Sequence, residues 1–434
     1  MIYFTASYLY PNLFLTYLLL KILAINLFNI FNMIFTSAFY LDYILLYRLN
    51  LFFSPGINCL FTPLMNAMNI KYFLIFLFIS LQTITSNLLA NTYYVDNGAS
   101  NANDDNAGTA IQPWKTIQNA ANIAVAGDKI YVKKGIYHEA VTMKNSGKAG
   151  SEILFKNYNS DSVIVDAKQS VDYTIYWGKS NNYIIWDGID VTGGGRGGLH
   201  VRGDYNIIQN IKAHDNNNMV DGEIMINSGE HNIVRNNEVY NGQNGIMIQD
   251  ANHTTIEHNY VHDCPGHTGI DFLPITTRYE QLLWSDNNVR FNIIARCNRG
   301  IYSRYQQYNE YVNNLIYDNT ISGIVFTIHP DGYPPPLYEG HTKVYNNTIV
   351  GNKTQGIDIV QTQYVTIKNN IIANNTKEGI RSDNNSNTGL DIDYNVYYDN
   401  GGGTYKGITS SNIGSHEKSG NPQFSDLSKY DFSI

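Results

Sequence analysis

Between residues 198 and 382 the chain repeats a glycine–apolar–x–apolar signature eight times, once in a variant offset by one residue. The glycines are Gly198, Gly222, Gly245, Gly269, Gly300, Gly323, Gly356 and Gly379, separated by 24, 23, 24, 31, 23, 33 and 23 residues. A fixed period in this range marks a solenoid, in which each unit can bury its apolar face only against its neighbours. The repeat therefore decides the fold. It also fixes where a groove must run, along the stack and over successive copies of one strand.

A second ladder keeps step with the first. Asn210, Asn237, Asn259, Asn292, Asn314, Asn347, Asn370 and Asn395 each adjoin a short alternating run such as Thr255-Ile256 or Ile371-Ile372. Five residues after each stands another polar or small residue: Asp215, Gly242, Cys264, Cys297, Asn319, Asn352, Asn375 or Asn400. Apolar–polar alternation over a few residues, broken by Asn and Gly, reads as short strands joined by tight turns. Asn suits such turns because it tolerates left-handed backbone and its amide bonds along a stack. The pattern predicts an all-β fold, a single-stranded parallel β-helix of about 23 residues per coil, with the asparagines structural.

On these residues the chain resembles the right-handed parallel β-helix proteins of pectate-lyase type, whose turns carry stacked asparagines. The opening block strengthens the likeness. It runs Tyr93-Tyr94-Val95-Asp96, Gly108-Thr109, Pro113-Trp114-Lys115-Thr116-Ile117 and Gly127-Asp128-Lys129-Ile130-Tyr131-Val132, then Gly135-Ile136-Tyr137-His138-Glu139 and Asn145-Ser146-Gly147-Lys148-Ala149-Gly150. It is similar to the first segment of secreted β-helix polysaccharide lyases and related glycosidases. The resemblance spans roughly residues 92 to 432. It implies the fold and a carbohydrate-active role, but one scaffold hosts many activities.

The first 90 residues do not share this pattern. They are almost wholly apolar, with Lys21, Asp42, Arg48 and Lys71 their only charged side chains. Met68-Asn69-Ile70-Lys71, the apolar run Tyr72 to Ser80 and the small Ala90 have the layout of a signal peptide over residues 68–90. Residues 1–67 read as a gene-model extension with translation starting near Met68. The alternative is a membrane anchor over residues 11 to 30, interrupted by Lys21. Either reading puts the domain 91–434 outside the cytoplasm, secreted or in the cell envelope, with no membrane role of its own unless the anchor is kept. Without residues 1–90 the chain keeps 26 basic and 36 acidic side chains. That balance argues against nucleic acid, which needs a basic face, and leaves a polysaccharide as the expected partner of an elongated monomer.

The termini and cysteines add further expectations. Trp114, Ile117, Ala121 and Ala124, closed by Gly127, have helical spacing and predict a short capping helix. The chain stops soon after Asn421-Pro422-Gln423-Phe424, where similar proteins continue, so a C-terminal truncation is expected. Cys264 and Cys297 stand at the same position of successive coils. Stacked strands lie about 4.8 Å apart, within reach of a disulfide, and export permits oxidation. Two small buried thiols are the other reading.

On each glycine strand the apolar residues point inward, so those between them point out. The outward residues are then His200 and Arg202, Met225 and Asn227, Met247 and Gln249, Asp271 and Leu273, Tyr302 and Arg304, Val325 and Thr327, Asp358 and Val360, and Arg381 and Asp383. Two coils carry longer segments after this strand. One holds Arg278, Tyr279, Glu280 and Trp284, the other His329, Asp331, Tyr333, Pro334, Pro335, Pro336 and Tyr338. Long loops on a regular solenoid are mostly functional. These two are expected to wall a groove over Tyr302 and Arg304, rimmed by aromatic rings that stack on sugars.

The candidate catalytic residues are His267, Asp271, Tyr302, Arg304 and His329, and the candidate substrate contacts Arg278, Trp284, Asp331, Tyr333, Tyr338 and Asp358. A β-eliminating lyase must neutralise the uronate carboxylate, remove the C5 proton and protonate the leaving oxygen. Arg304 or Arg278 fits the first task, and Tyr302, His267 or His329 the others. Asp221, Asp250 and Asp271 are a candidate calcium set. Some β-helix lyases use a lysine base, yet no lysine is expected on this outward face. A glycoside hydrolase is the rival enzyme class. It needs two carboxyls about 5–5.5 Å or 6.5–9.5 Å apart, for which Glu223 or Asp250 with Asp271 are the options. A non-catalytic glycan-binding protein is the third reading.

Overall fold

The computed structural model describes residues 90–216, 221–273, 285–327, 338–383, 386–426 and 429–433. The segments read as gene-model extension or anchor (1–67) and as signal peptide (68–90) lie outside these residues, save Ala90.

Each coil contributes one strand to each of three parallel sheets, of 12, 11 and 12 strands, and every third strand is a hydrogen-bonded neighbour. The glycine-repeat strands form the 11-stranded sheet, and their register stacks like on like. Leu199, Ile224, Ile246, Ile270, Ile301, Ile324, Ile357 and Ile380 pair in sequence down its inner face, and all are fully buried. Branched side chains suit this pleated surface, and each such burial contributes about 1.5–3 kcal/mol.

The repeated glycines are explained by close approach between coils. A Cβ on Gly245 would lie 2.4 Å from Val261 Cγ1 and 2.6 Å from the Gly269 carbonyl oxygen, and one on Gly300 2.4 Å from Ile316 Cγ2. Glu223 takes the glycine place in one coil. It is completely buried, and its carboxylate accepts the Asn216 backbone N–H at 3.3 Å and the Asn216 amide.

The asparagine ladder is continuous from Asn237 through Asn259, Asn292, Asn314, Asn347 and Asn370 to Asn395. Each Oδ1 accepts both the backbone N–H and the side-chain amide of the coil before, at 2.9–3.1 Å. Asn210 is not part of it. Ile211 holds that place, its N–H bonded to Asn237 Oδ1, while the Asn210 amide turns to Asp187. The left-handed residue of the turn is the one before the ladder asparagine, as at Asn236, His258, Phe291, Asn313, Asn346, Asn369 and Tyr394. A second stack joins Asn319, Asn352, Asn375 and Asn400. A third, which the repeat analysis missed, links Asn206 to Asn232 and Thr254 through Asn287 to Asn309.

Cys264 and Cys297 are free, buried thiols. The disulfide reading is thereby corrected to the stacked-thiol one. Cys297 continues the second asparagine stack through its N–H to Asn319 Oδ1 at 3.0 Å. Its thiol and burial both push the Cys264 thiol well up, so Cys264 stays protonated and unreactive. The helix expected near the start spans Ile117–Ile123, with Thr116 as N-cap. Its buried Ile117, Ala120 and Ala121 join the same core as Val95 and Ile130.

Replacing Asn314 by Ala should lower the unfolding free energy by on the order of 3 kcal/mol, because it removes the acceptor of the Asn292 backbone N–H and of one Asn292 amide hydrogen, and the amide donor to the Val289 carbonyl and Asn347 Oδ1. Asn400→Ala, at the half-buried end of its stack, should cost clearly less in the same chemical denaturation. Equal effects would contradict a burial-driven ladder.

Candidate active site on the outer face of the glycine sheet

The outer face of this sheet is three rows of side chains, fixed by register. The middle row runs Tyr176, His200, Met225, Met247, Asp271, Tyr302, Val325, Asp358, Arg381 and Lys406. On one flank Asn244, Thr268 and Arg299 are partners. On the other, Asn227, Gln249 and Leu273 lead to Arg304 and Thr327.

A polar cluster forms where strands Thr268–Leu273 and Arg299–Arg304 lie side by side. Asp271 is 1% exposed although it points outward. Arg304 satisfies it, one guanidinium nitrogen donating to both carboxylate oxygens at 2.6 and 2.7 Å. The Nε of Arg304 is buried with no hydrogen-bond partner. Tyr302 lies between two guanidiniums, with Arg299 Cζ 4.7 Å and Arg304 Cζ 4.6 Å from its ring centre, a favourable cation–π arrangement. His267 closes the group. Its Nδ1 is 2.9 Å from Thr268 Oγ1 and 3.7 Å from Asp271 Oδ2, and its ring centre is 6.1 Å from that of Tyr302.

The surroundings tune these groups in opposite senses. Burial lowers the His267 pKa below its ordinary value, Asp271 opposes the shift, and the charges of Arg304 and Arg299 reinforce it. Burial raises the Tyr302 pKa, with the two arginines opposing and Asp271 assisting. At neutral pH the cluster holds an unprotonated imidazole beside a protonated phenol.

Four residues selected from sequence, His267, Asp271, Tyr302 and Arg304, therefore meet. Arg299 was missed because only positions after each glycine were read as outward. Its register with Thr268 places it on the same face, and among the described residues it pairs with no carboxylate. Asp358 does not join the group. It stands three strand spacings from Asp271, about 14 Å, held by Arg381 at 2.6 and 2.7 Å. Arg278, Trp284, His329, Asp331 and Tyr333 lie outside the described residues, and of Tyr338 only the backbone, beginning strand Tyr338–Tyr345, is described.

The expected calcium set does not form. Asp221 precedes strand Gly222–Asn227 and Asp250 follows strand Asn244–Gln249, which pair in parallel register. Seven residues of strand, about 23 Å, separate those positions along the sheet. Asp221 is taken up by Arg196 at 3.0 Å and by the Tyr173 hydroxyl, and Asp271 by Arg304. Among the described residues no three His, Cys, Asp or Glu side chains converge on a metal position. Two other expectations need correction. Lys406 does fall on the middle row, paired with Glu378 at 3.2 Å. Glu223 faces the interior, which removes it from any hydrolase pair with Asp271.

Arg304→Met should destabilise the protein by about 3–5 kcal/mol, since it strands the buried Asp271 charge. The double variant Asp271→Asn/Arg304→Met should recover much of that loss in the same denaturation experiment. If the double variant is as unstable as the single, the pair is not the structural unit described.

Comparison with known proteins agrees with this architecture. The family described as Pel9A-like, right-handed beta helix region, matches residues 93–244, and the family described as right-handed beta helix region matches residues 337–420. The uncharacterized protein YwoF of Bacillus subtilis (strain 168) is 35% identical over 68 residues, 16% of this chain and 14% of its own. Pectate lyase L of Dickeya chrysanthemi is 29% identical over 171 residues, 36% of this chain and 39% of its own. The matches thus span well under half of these relatives. Among solved structures, an alginate lyase from Paenibacillus sp. str. FPU-7 superposes with a TM-score of 0.50 at 14% identity, over 64% of this chain and 94% of that one, a likeness of fold. With three parallel sheets wound around one stacked core, the chain belongs to the right-handed parallel β-helix superfamily of pectate-lyase type.

Proposed function

We propose that the chain is an exported, monomeric polysaccharide lyase that cleaves a uronic acid polymer by β-elimination on the outer face of the glycine sheet. The observation that carries this reading is an imidazole tuned down and a phenol tuned up, side by side with the Arg299 guanidinium, which pairs with no carboxylate among the described residues. Arg299 binds the uronate carboxylate and stabilises the charge that develops there when C5 loses its proton. His267, with Nδ1 engaged by Thr268, takes that proton on Nε2. The C5–H electrons form the C4–C5 double bond as the C4–O bond breaks, and Tyr302 gives its phenolic proton to the departing oxygen. Asp271 and Arg304 are positioning residues for Tyr302 and His267.

Hydrolysis is the weaker reading because, among the described residues, the two carboxyls on the middle row do not form the pair it needs. Asp271 and Asp358 are each neutralised by an arginine and stand about 14 Å apart, beyond the range of either hydrolytic geometry. The excess of acid over base in residues 91–434 suits a protein that uses a few local arginines, rather than a general basic surface, to hold an acidic polymer. Export rests on the signal-peptide layout of residues 68–90.

The test is absorbance of unsaturated uronate with pectate, alginate and glycosaminoglycans as substrates. The reading predicts a rise with at least one of them. Tyr302→Phe and His267→Gln should each lower kcat by about 10²–10⁴-fold, and Arg299→Met should both raise KM and lower kcat. Reducing ends released without that absorbance would establish a hydrolase, and binding with neither signal a glycan-binding protein.

A further inference from the structure

Four strand spacings from Tyr302 along the same middle row, about 19 Å, lies a second polar group that the reaction above does not use. His200 is 8% exposed, and both of its ring nitrogens are buried without a hydrogen-bond partner. The ring packs on Tyr173 at 4.4 Å between centres and meets Tyr176 edge-on at 5.4 Å. Burial, helped by the charges of Arg202 and Arg196 and opposed by Asp221, pushes its pKa down to about 4. It is therefore a neutral imidazole with one donor and one acceptor, neither of them used by the protein. Native proteins rarely leave such groups unpaired without a reason.

The neighbours fit a reason. Arg202 follows strand Gly197–Val201 on the same flank as Arg304, and its Nε too is buried without a partner. Tyr173 is fixed beneath His200 by its hydroxyl bond to Asp221, which Arg196 also holds. Between this group and Tyr302 the floor changes character. Met225 and Met247 give it an apolar middle row, and on the flank the Asn227 amide donates to Gln249 Oε1 at 2.7 Å. A sugar chain laid along the stack passes over these buried methionines, beside the amides of Asn227 and Gln249, with Arg202 at one end and Arg304 at the other.

We propose that His200 and Arg202 form a distal subsite for a uronate residue of the polymer cleaved at Tyr302. Arg202 takes the carboxylate, and His200 pairs with ring hydroxyls, which like the imidazole both donate and accept. Reaching the buried imidazole nitrogens requires the Tyr176 ring, edge-on to His200 at 5.4 Å, to give way to the ligand. The subsite rests on the elimination reading for its ligand, and it adds that productive substrates are long. A disaccharide over Tyr302 ends short of His200, whereas a hexasaccharide reaches it.

The experiment is calorimetric binding of dimers and hexamers of galacturonate, of alginate and of a glycosaminoglycan to the full chain carrying Tyr302→Phe, which holds the ligand uncleaved. His200→Phe keeps the ring packing and removes both nitrogens, and Arg202→Met removes the guanidinium. Each should weaken hexamer binding about tenfold and leave dimer binding unchanged. Equal weakening of both lengths, or no change in hexamer binding with either variant, overturns the distal subsite while the elimination reading stands. If the Tyr302→Phe chain binds neither length of any of these oligomers, the elimination reading falls and the subsite with it.

Discussion

Everything in this molecule depends on the strand spacing of about 4.8 Å repeated without interruption in one direction. A coil in isolation has no second layer to bury its apolar residues or satisfy its backbone. It acquires both from the coils above and below, which is why the same side chain recurs at the same place. Isoleucine stacks on isoleucine inside, and asparagine hands a hydrogen bond to asparagine at the corner. Glycine recurs where a Cβ would strike the next coil. The consequence for function is equally direct. Side chains on the outer face are also stacked at that spacing, so neighbouring coils bring a carboxylate, a guanidinium, a phenol and an imidazole within contact.

How much of this was legible follows from what a period can encode. The glycine and asparagine repeats announce the coil length, and the alternation within them separates inner from outer faces. The outward positions Asp271, Tyr302 and Arg304 were found in this way. Phase is harder to read. Ile211 takes the ladder place that Asn210 seemed to fill, because one residue of drift changes no composition. The third stack escaped notice since a threonine interrupts it at Thr254. Arg299 precedes its glycine and looked like part of a turn until register with Thr268 put it on the groove face. Spacing likewise brought Cys264 and Cys297 together correctly but carries no information on whether sulfur is oxidised.

The site illustrates how burial does chemical work on a regular scaffold. Asp271 is sunk in the sheet surface, and Arg304 closes on both of its carboxylate oxygens. The same desolvation acts with opposite sign on its two neighbours, lowering the proton affinity of the imidazole and raising that of the phenol. Glu223 and Asp358 show that a carboxylate's presence on the chain says little of its availability. One is consumed in the core by Asn216, the other by Arg381.

The most direct test of this account is the pH dependence of kcat/KM on whichever uronan is cleaved. Because His267 must be unprotonated and its pKa is lowered, the acid limb should lie below the ordinary histidine value of about 6.5. Because Tyr302 must stay protonated and its pKa is raised, activity should persist past the ordinary tyrosine value of about 10, as far as the protein remains folded. In His267→Gln the residual activity should lose the acid limb. An acid limb that survives this replacement, or one at or above the ordinary histidine value, would contradict an acid–base pair made by burial at this site.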